Sequence, residues 1–190
     1  MSTKAYSKAE KTFMLCLARS VISDHIQKKF FSENTDCPPF LREFASCFVS
    51  LHDSEGNLRG CIGNIQAYEP LFQNIRRNAI SAAFRDPRFL PIKSLSELEK
   101  IVIEISILTP PEIIKSWKDF EVGKHGIIMN IHDASAVFLP QVAPEQGWDS
   151  ETTLCYLSIK AGLEPQDWRN PKAEFSVFEA IVFSDNDASN

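Results

Sequence analysis

This 190-residue chain has only seven glycines. Four of them form two pairs at one spacing: Gly60 and Gly63 bracket Cys61, and Gly123 and Gly126 bracket His125. A thiol and an imidazole are groups suited to nucleophilic and proton-transfer chemistry. Flanking glycines allow positive φ and close approach to the backbone. In the run Leu58-Arg59-Gly60-Cys61-Ile62-Gly63-Asn64, an extended chain puts Arg59 and Cys61 on one face. A guanidinium there would lower the thiol pKa from about 8.5. The glycine N–H groups would receive an anion or oxyanion. The opposing reading is a packed thiol, since free cysteine is among the most buried residue types. His125 reads either as a general base or metal ligand or as an ordinary loop histidine.

Other residues join this list more loosely. Glu104 stands mid-strand among apolar neighbours, so it either faces solvent or is a paired pocket carboxylate near Ser106. Arg85-Asp86-Pro87-Arg88-Phe89 is a charged corner that either clamps an anionic ligand or ties a helix to a loop by ion pairing. Cys16, Cys47 and Cys155 lie on apolar patterns and read as core. His25 reads as helix surface, and His52 and His132, each before an Asp, as hairpin-turn residues. No His or Cys pair has the close spacing of a metal site. There is no phosphate-binding glycine loop of the GxGxxG or Walker type and no GxSxG elbow.

Composition bounds the protein behind these residues. A hydrophobic content of 44% and 14 Phe support a sizeable core. The net charge of −5 argues against non-specific nucleic-acid binding and against an anionic membrane surface, while leaving room for a small basic pocket. Five widely spaced cysteines without CxxC point to a reducing compartment. No stretch approaches the roughly 20 apolar residues of a membrane span, and residues 1–10 carry no apolar signal segment. The expectation is a cytoplasmic, soluble chain.

The elements that must position the candidates follow from periodicity. Ser7 and Glu10 have capping-box spacing before an amphipathic helix running to about Phe31, followed by a loop from Ser32 to Pro39. Ser46 to His52 alternates as a strand, Asp53 to Asn57 is a turn, and Leu58 to Gln66 returns, so Cys61 sits on the second strand of a hairpin. A helix starts at Pro70 and stops by Asp86, before Pro87; Arg76, Arg77, Arg85 and Arg88 make it locally basic. Ser94 to Glu99 is a helical turn, and Lys100 to Leu108 a strand with Ile101, Ile103, Ile105 and Ile107 on one face. A helical piece is expected over Glu112 to Phe120. A second hairpin spans Ile127 to Val142, turning at Asp133 to Ser135. Asp149 or Ser150 caps a helix that ends before Gly162, Glu174 to Phe183 is a last strand, and Ser184 to Asn190 is a frayed polar tail. Hairpins interrupted by helices predict an α+β fold with a mostly antiparallel sheet and flanking helices, as a single domain over 1–190 with its core at about 9–183.

These segments together resemble the AMME chromosomal region gene 1 domain family, also called protein A of the AmmeMemoRadiSam system. The resemblance rests on Leu58-Arg-Gly-Cys-Ile-Gly63, Asn78-Ala-Ile-Ser-Ala-Ala-Phe-Arg-Asp-Pro-Arg-Phe89, Glu104-Ile-Ser-Ile-Leu108, Gly123-Lys-His-Gly126, Phe138-Leu-Pro-Gln-Val142, Lys160-Ala-Gly-Leu163 and Trp168-Arg169. It implies a larger and a smaller lobe, with the Leu58–Gly63 segment as the functional site. It also implies Memo-type and radical-SAM proteins as partners, and an enzymatic role on a nucleotide, base or other small anionic molecule. On that basis Cys61, His125 and Glu104 are the catalytic candidates, and Arg59, Gly60, Gly63, Arg85, Asp86 and Gln141 the substrate contacts. No metal and no particular cofactor is implied. A non-catalytic binding or adaptor domain is the alternative.

Overall fold

The Ser7 hydroxyl accepts from the Glu10 N–H (3.3 Å) while the Glu10 carboxylate accepts from the Ser7 N–H (2.8 Å). This reciprocal cap starts α1 (Lys8–Ile26). The helix ends at Ile26, short of Phe31, because Lys28 takes φ +53°, a left-handed conformation that cannot continue it. The computed structural model describes residues 5–29 and 37–188; Phe31 and most of the loop expected after it lie outside that range. Cys16, expected in the core, is exposed on α1, whose buried stripe is Met14, Leu15, Ala18, Val21 and Ile22.

The described strands are β1 (Ser46–His52), β2 (Leu58–Gly63), β3 (Val102–Leu108), β4 (Glu112–Ile114), β5 (Gly126–Ile131), β6 (Ala134–Phe138), β7 (Glu174–Phe178) and β8 (Ala180–Ser184). They form two four-stranded sheets, ordered β2-β1-β3-β8 and β4-β7-β5-β6. Every pairing described between β1, β2 and β3, and within the second sheet, is antiparallel. With six α-helices among the described residues the fold is α+β. By internal contacts the chain divides into two units, one of Met1–Leu108 with Ile181–Asn190, the other of Thr109–Ala180. No described helix is long and apolar enough to cross a membrane.

In the larger unit, Cys47, Val49 and Leu51 of β1 and Ile103, Ile105 and Ile107 of β3 are buried against α1 and α2 (Leu71–Phe84). Each such side chain contributes about 1.5–3 kcal/mol through burial. The other face of the sheet therefore carries Phe48, Ser50 and His52, with Glu104 and Ser106 beside them. Two asparagines interrupt the apolar stripe of α2. Asn74 and Asn78 are fully buried and hold the hairpin: Asn74 Oδ1 accepts from Cys47 N (2.9 Å), Asn78 Nδ2 donates to Cys47 O (2.9 Å), and both donate to Asn64 Oδ1. The tail is not frayed where described. Asp185 opens α6 (Asp185–Ala188), pairs with Arg19 at 2.5 Å and accepts from Ile103 N at 2.8 Å. Residues 189–190 lie outside the described range.

The smaller unit corrects three expectations. Glu112 to Ile114 is a strand, not a helix, because its backbone pairs with Phe175 to Val177; a single 3-10 turn follows at Trp117–Asp119, capped by Ser116. The second hairpin turns at His132 and Asp133, with Ile131 opposite Ala134 and His132 at φ +53°. Its return strand ends at Phe138, and Val142–Gln146 forms α4. The last apolar run is two strands in two sheets. The break falls at Glu179, whose N–H donates to Thr109 Oγ1 (2.8 Å) and whose carbonyl accepts from Thr109 N (2.9 Å). Asp149 caps α5 (Ser150–Lys160) and Gly162 follows it at φ +79°, as expected.

Candidate functional site

β2 is an edge strand of its sheet. Gly60 must lack a side chain because a Cβ there would stand 2.2 Å from the Ala82 carbonyl oxygen of α2. That contact turns Gly60 toward the helix and, by alternation, Arg59 and Cys61 toward the opposite face. Cys61 lies directly across from Ser50, and Ser50 directly across from Glu104. A thiol, a hydroxyl and a carboxylate thus form one row across three strands. Ser50 Oγ donates to Cys61 Sγ at 3.2 Å. Cys61 and Glu104 are half-buried and Ser50 is buried.

The Asp86 corner closes the outer edge of this row. Asp86 is 4% exposed; its Oδ2 accepts from the Cys61 N–H at 2.9 Å, and Arg88 donates to it through Nη2 (2.7 Å) and Nε (3.0 Å). Arg88 Nη2 also donates to the Cys61 carbonyl at 3.2 Å. One ion pair thereby satisfies both outward backbone groups of Cys61, much as a neighbouring strand would. The Arg88 guanidinium and these N–H donors hold the Asp86 carboxyl down at about 2, against its burial. The Cys61 N–H is consequently occupied and does not await an oxyanion.

The thiol itself is shifted upward. Burial is the largest cause, with the charges of Asp86 and Glu104 acting the same way; the Ser50 hydrogen bond and Arg88 oppose them. Arg59 was expected to supply the activating cation, but its guanidinium pairs with Glu97 at 2.7 Å and donates to the Leu90 carbonyl. It ties β2 to α3 (Leu95–Leu98), and the cation acting on the thiol is Arg88. Gly63 is likewise a packing position, since a Cβ would fall 2.2 Å from the ring of Phe48, its cross-strand partner. Cys47 is buried and its thiol is pushed up to about 12 by that burial. Cys155 is half-buried and accepts from Gln166.

The remaining candidates are not part of this row of paired strands. Arg85, adjacent to Asp86 in sequence, lines a pocket with Arg76 and Arg77. His125 and Gln141 belong to the smaller unit. The half-buried His125 accepts through Nδ1 from Glu121 N at 3.2 Å, closing the Glu121–His125 turn. Gln141 precedes α4, and its buried Oε1 has no hydrogen-bond donor among the described residues. No three His, Cys, Asp or Glu side chains among the described residues converge as metal ligands. Sequence reading missed Ser50 as the link between Cys61 and Glu104. Strand alternation puts Ser50 on the face opposite Val49 and Leu51, but only the register puts it between the other two.

Known proteins are similar to this chain over most of its length. Protein MJ0810 of Methanocaldococcus jannaschii is 39% identical over 184 residues, covering 93% of this chain and 90% of that protein. Protein PF1979 of Pyrococcus furiosus is 37% identical over 183 residues, covering 91% and 87%. The crystal structure of the uncharacterized protein PH0010 from Pyrococcus horikoshii superposes with a TM-score of 0.82 at 36% identity, covering 90% of this chain and 89% of that one. A family model described as AMMECR1 matches residues 15–183. The chain therefore belongs to the AMMECR1 family.

Proposed function

We propose that the protein is an enzyme, or a component of one, whose working group is the Cys61 thiol, acting on a small molecule over the Cys61–Ser50–Glu104 row. The observation that carries this reading is the 3.2 Å contact from Ser50 Oγ to Cys61 Sγ, with a carboxylate next in register. The thiol rests protonated at neutral pH. Reaction then requires that the proton on Sγ leave as a substrate binds. Glu104, next in register beyond Ser50, is the carboxylate assigned to receive it, and the Ser50 hydroxyl stabilises the thiolate left behind. In the smaller unit His125 is the acid or base candidate. Gln141, whose Oε1 has no donor among the described residues, is the ligand-contact candidate there. The five unpaired cysteines support a reducing, cytoplasmic setting. The family resemblance supports Memo-type and radical-SAM proteins as partners.

A second reading has its own support. Gly60 and Gly63 are explained by packing alone, as a non-catalytic binding or adaptor domain requires. Complementation of a gene deletion separates the two. Cys61→Ser and Glu104→Gln proteins that fold with wild-type melting temperatures should fail to restore the phenotype if the thiol does chemistry. Full restoration by both would sink the enzyme reading and leave the adaptor.

A further inference from the structure

The sheet of the smaller unit runs β4-β7-β5-β6, so β4 and β6 are its two edges. An edge strand presents backbone N–H and C=O groups with which a further strand can pair. On β6 a side chain takes up part of that row: Lys160 Nζ donates to the Val137 carbonyl at 2.9 Å. On β4 nothing does. Among the described residues, Glu112, Ile113 and Ile114 make no backbone hydrogen bond beyond their pairing with β7. The centre of this edge carries neither a charge nor a proline, the usual protections; Ile113 stands there, 82% exposed. A pocket of about 520 Å3 opens against the strand, lined by Ile113 and Ile114, by Trp117 and Trp168, and by Phe175 of β7. Charges of opposite sign flank the strand. Glu112 at its start and Lys115 just past its end form no ion pair among the described residues.

We propose that β4 is the docking edge for an extended segment of a partner protein, which joins the sheet as a fifth strand antiparallel to β4. Its backbone pairs with the free edge groups, and a large apolar side chain fills the pocket beside Ile113 and Ile114. An acidic residue of the segment faces Lys115 and a basic one faces Glu112. The antiparallel direction continues the pattern of the sheet. In this mode of recognition the backbone bonds supply affinity and the side-chain pocket supplies specificity. Every group involved lies within 109–180, so the proposal goes beyond the thiol reading and does not rest on it. The rival account is that an edge of three residues is short enough to stay unpaired.

Fluorescence-anisotropy titration of the full chain into a labelled, capped hexapeptide tests this. The peptide reads threonine, aspartate, two phenylalanines, lysine and threonine, so that in antiparallel order the aspartate meets Lys115 and the lysine meets Glu112. The expected result is saturable binding, about fivefold weaker when aspartate and lysine are exchanged. N-methylation of alternate peptide nitrogens separates strand addition from simple pocket filling. One alternate set faces β4 and should abolish binding, while the other faces away and should spare it. Ile113→Lys alters an exposed side chain; it should keep the wild-type melting temperature and bind about tenfold more weakly. No saturable binding, or binding affected equally by both methylated sets, overturns strand addition and leaves the short-edge account. Wild-type affinity in Ile113→Lys overturns the location at β4. Equal affinity of the charge-exchanged peptide overturns the assigned direction. Sedimentation in which the chain alone dimerises and Ile113→Lys does not makes a second copy the occupant, and overturns the partner segment.

Discussion

The two glycine brackets have the same spacing and different physics. Around Cys61 both glycines are strand residues with no room for a Cβ: Gly60 faces the Ala82 backbone and Gly63 the ring of Phe48. Around His125, Gly123 instead turns the chain at φ +85° with only ordinary contact to Pro144, while Gly126 lies opposite Phe178, whose ring a Cβ would meet at 2.3 Å. The second glycine of each bracket therefore plays one part, that of a strand glycine covered by a cross-strand phenylalanine. The first glycine plays two parts, close helix packing in one case and a left-handed turn in the other. What distinguishes the Cys61 bracket is its edge, where Asp86 and Arg88 hold the backbone of the central residue. His125 instead closes its own turn through Glu121.

If that contrast is right, Gly60→Ala has the largest effect, about 3 kcal/mol in urea unfolding, because the obstructing atom is backbone and cannot rotate away. A loss under about 1 kcal/mol would mean that α2 can slide on the sheet. Asp86→Asn comes next. A carboxyl at about 2 in the folded state against about 3.9 when unfolded contributes about 2.6 kcal/mol, at about 1.4 kcal/mol per pKa unit. Since the folded value is the lower one, this stability is present above pH 4 and fades as pH falls toward 2. Wild type and variant should therefore differ at pH 7 and converge near pH 2. Parallel curves across that range would detach Asp86 from the stability of the edge.

The two phenylalanine-covered glycines sharpen the comparison further. Gly63→Ala meets Phe48 at Cγ, the root of the ring, and should cost about 2 kcal/mol; Gly126→Ala meets Phe178 at Cζ, the far tip, and should cost about 1 kcal/mol. The reverse order would show that the rings yield differently from what their contact atoms imply. Smallest of all is Cys61→Ser, expected within about 0.5 kcal/mol because the thiol is half-exposed. The same thiol should alkylate with iodoacetamide more slowly than a cysteine peptide at neutral pH and speed up only above the usual thiol range of about 8.5. Fast labelling at pH 7 would mean that Arg88 outweighs burial.

Alternation and capping made most of the larger unit readable. β1 and β3 alternate apolar residues on one face, Cys47, Val49 and Leu51 on one strand and Ile103, Ile105 and Ile107 on the other, and α2 announces its start with Pro70 and its end with Pro87. Short or uninterrupted signals were not readable. Three residues of β4, one of them an Ile113 that is 82% exposed, show no period at all. The apolar run from Phe175 to Val182 hides a change of sheet that only the Thr109–Glu179 hydrogen bonds reveal. The site was half legible, since residue types marked Cys61 and Glu104, but register supplied Ser50. The partner of the Cys61 backbone came from a corner whose ion-pairing reading was visible and whose docking point was not. Arg59 was misread because a cation on the same strand face is a neighbour in sequence, while Glu97 and Leu90 are neighbours only in the folded chain.

The hydrogen bonds between Thr109 and Glu179 have a consequence for the chain as a whole. They clasp together the first residues and the last of the stretch 109–180, so that stretch begins and ends at one point, as an inserted module does. Its removal leaves only a short gap to bridge, from Leu108 on β3 to Ile181 on the adjacent β8. A loop of a few residues closes such a gap at little entropic cost. The same clasp makes 109–180 a candidate for transplantation into another scaffold, or for new chain ends opened elsewhere in the sequence, with neither sheet losing a strand.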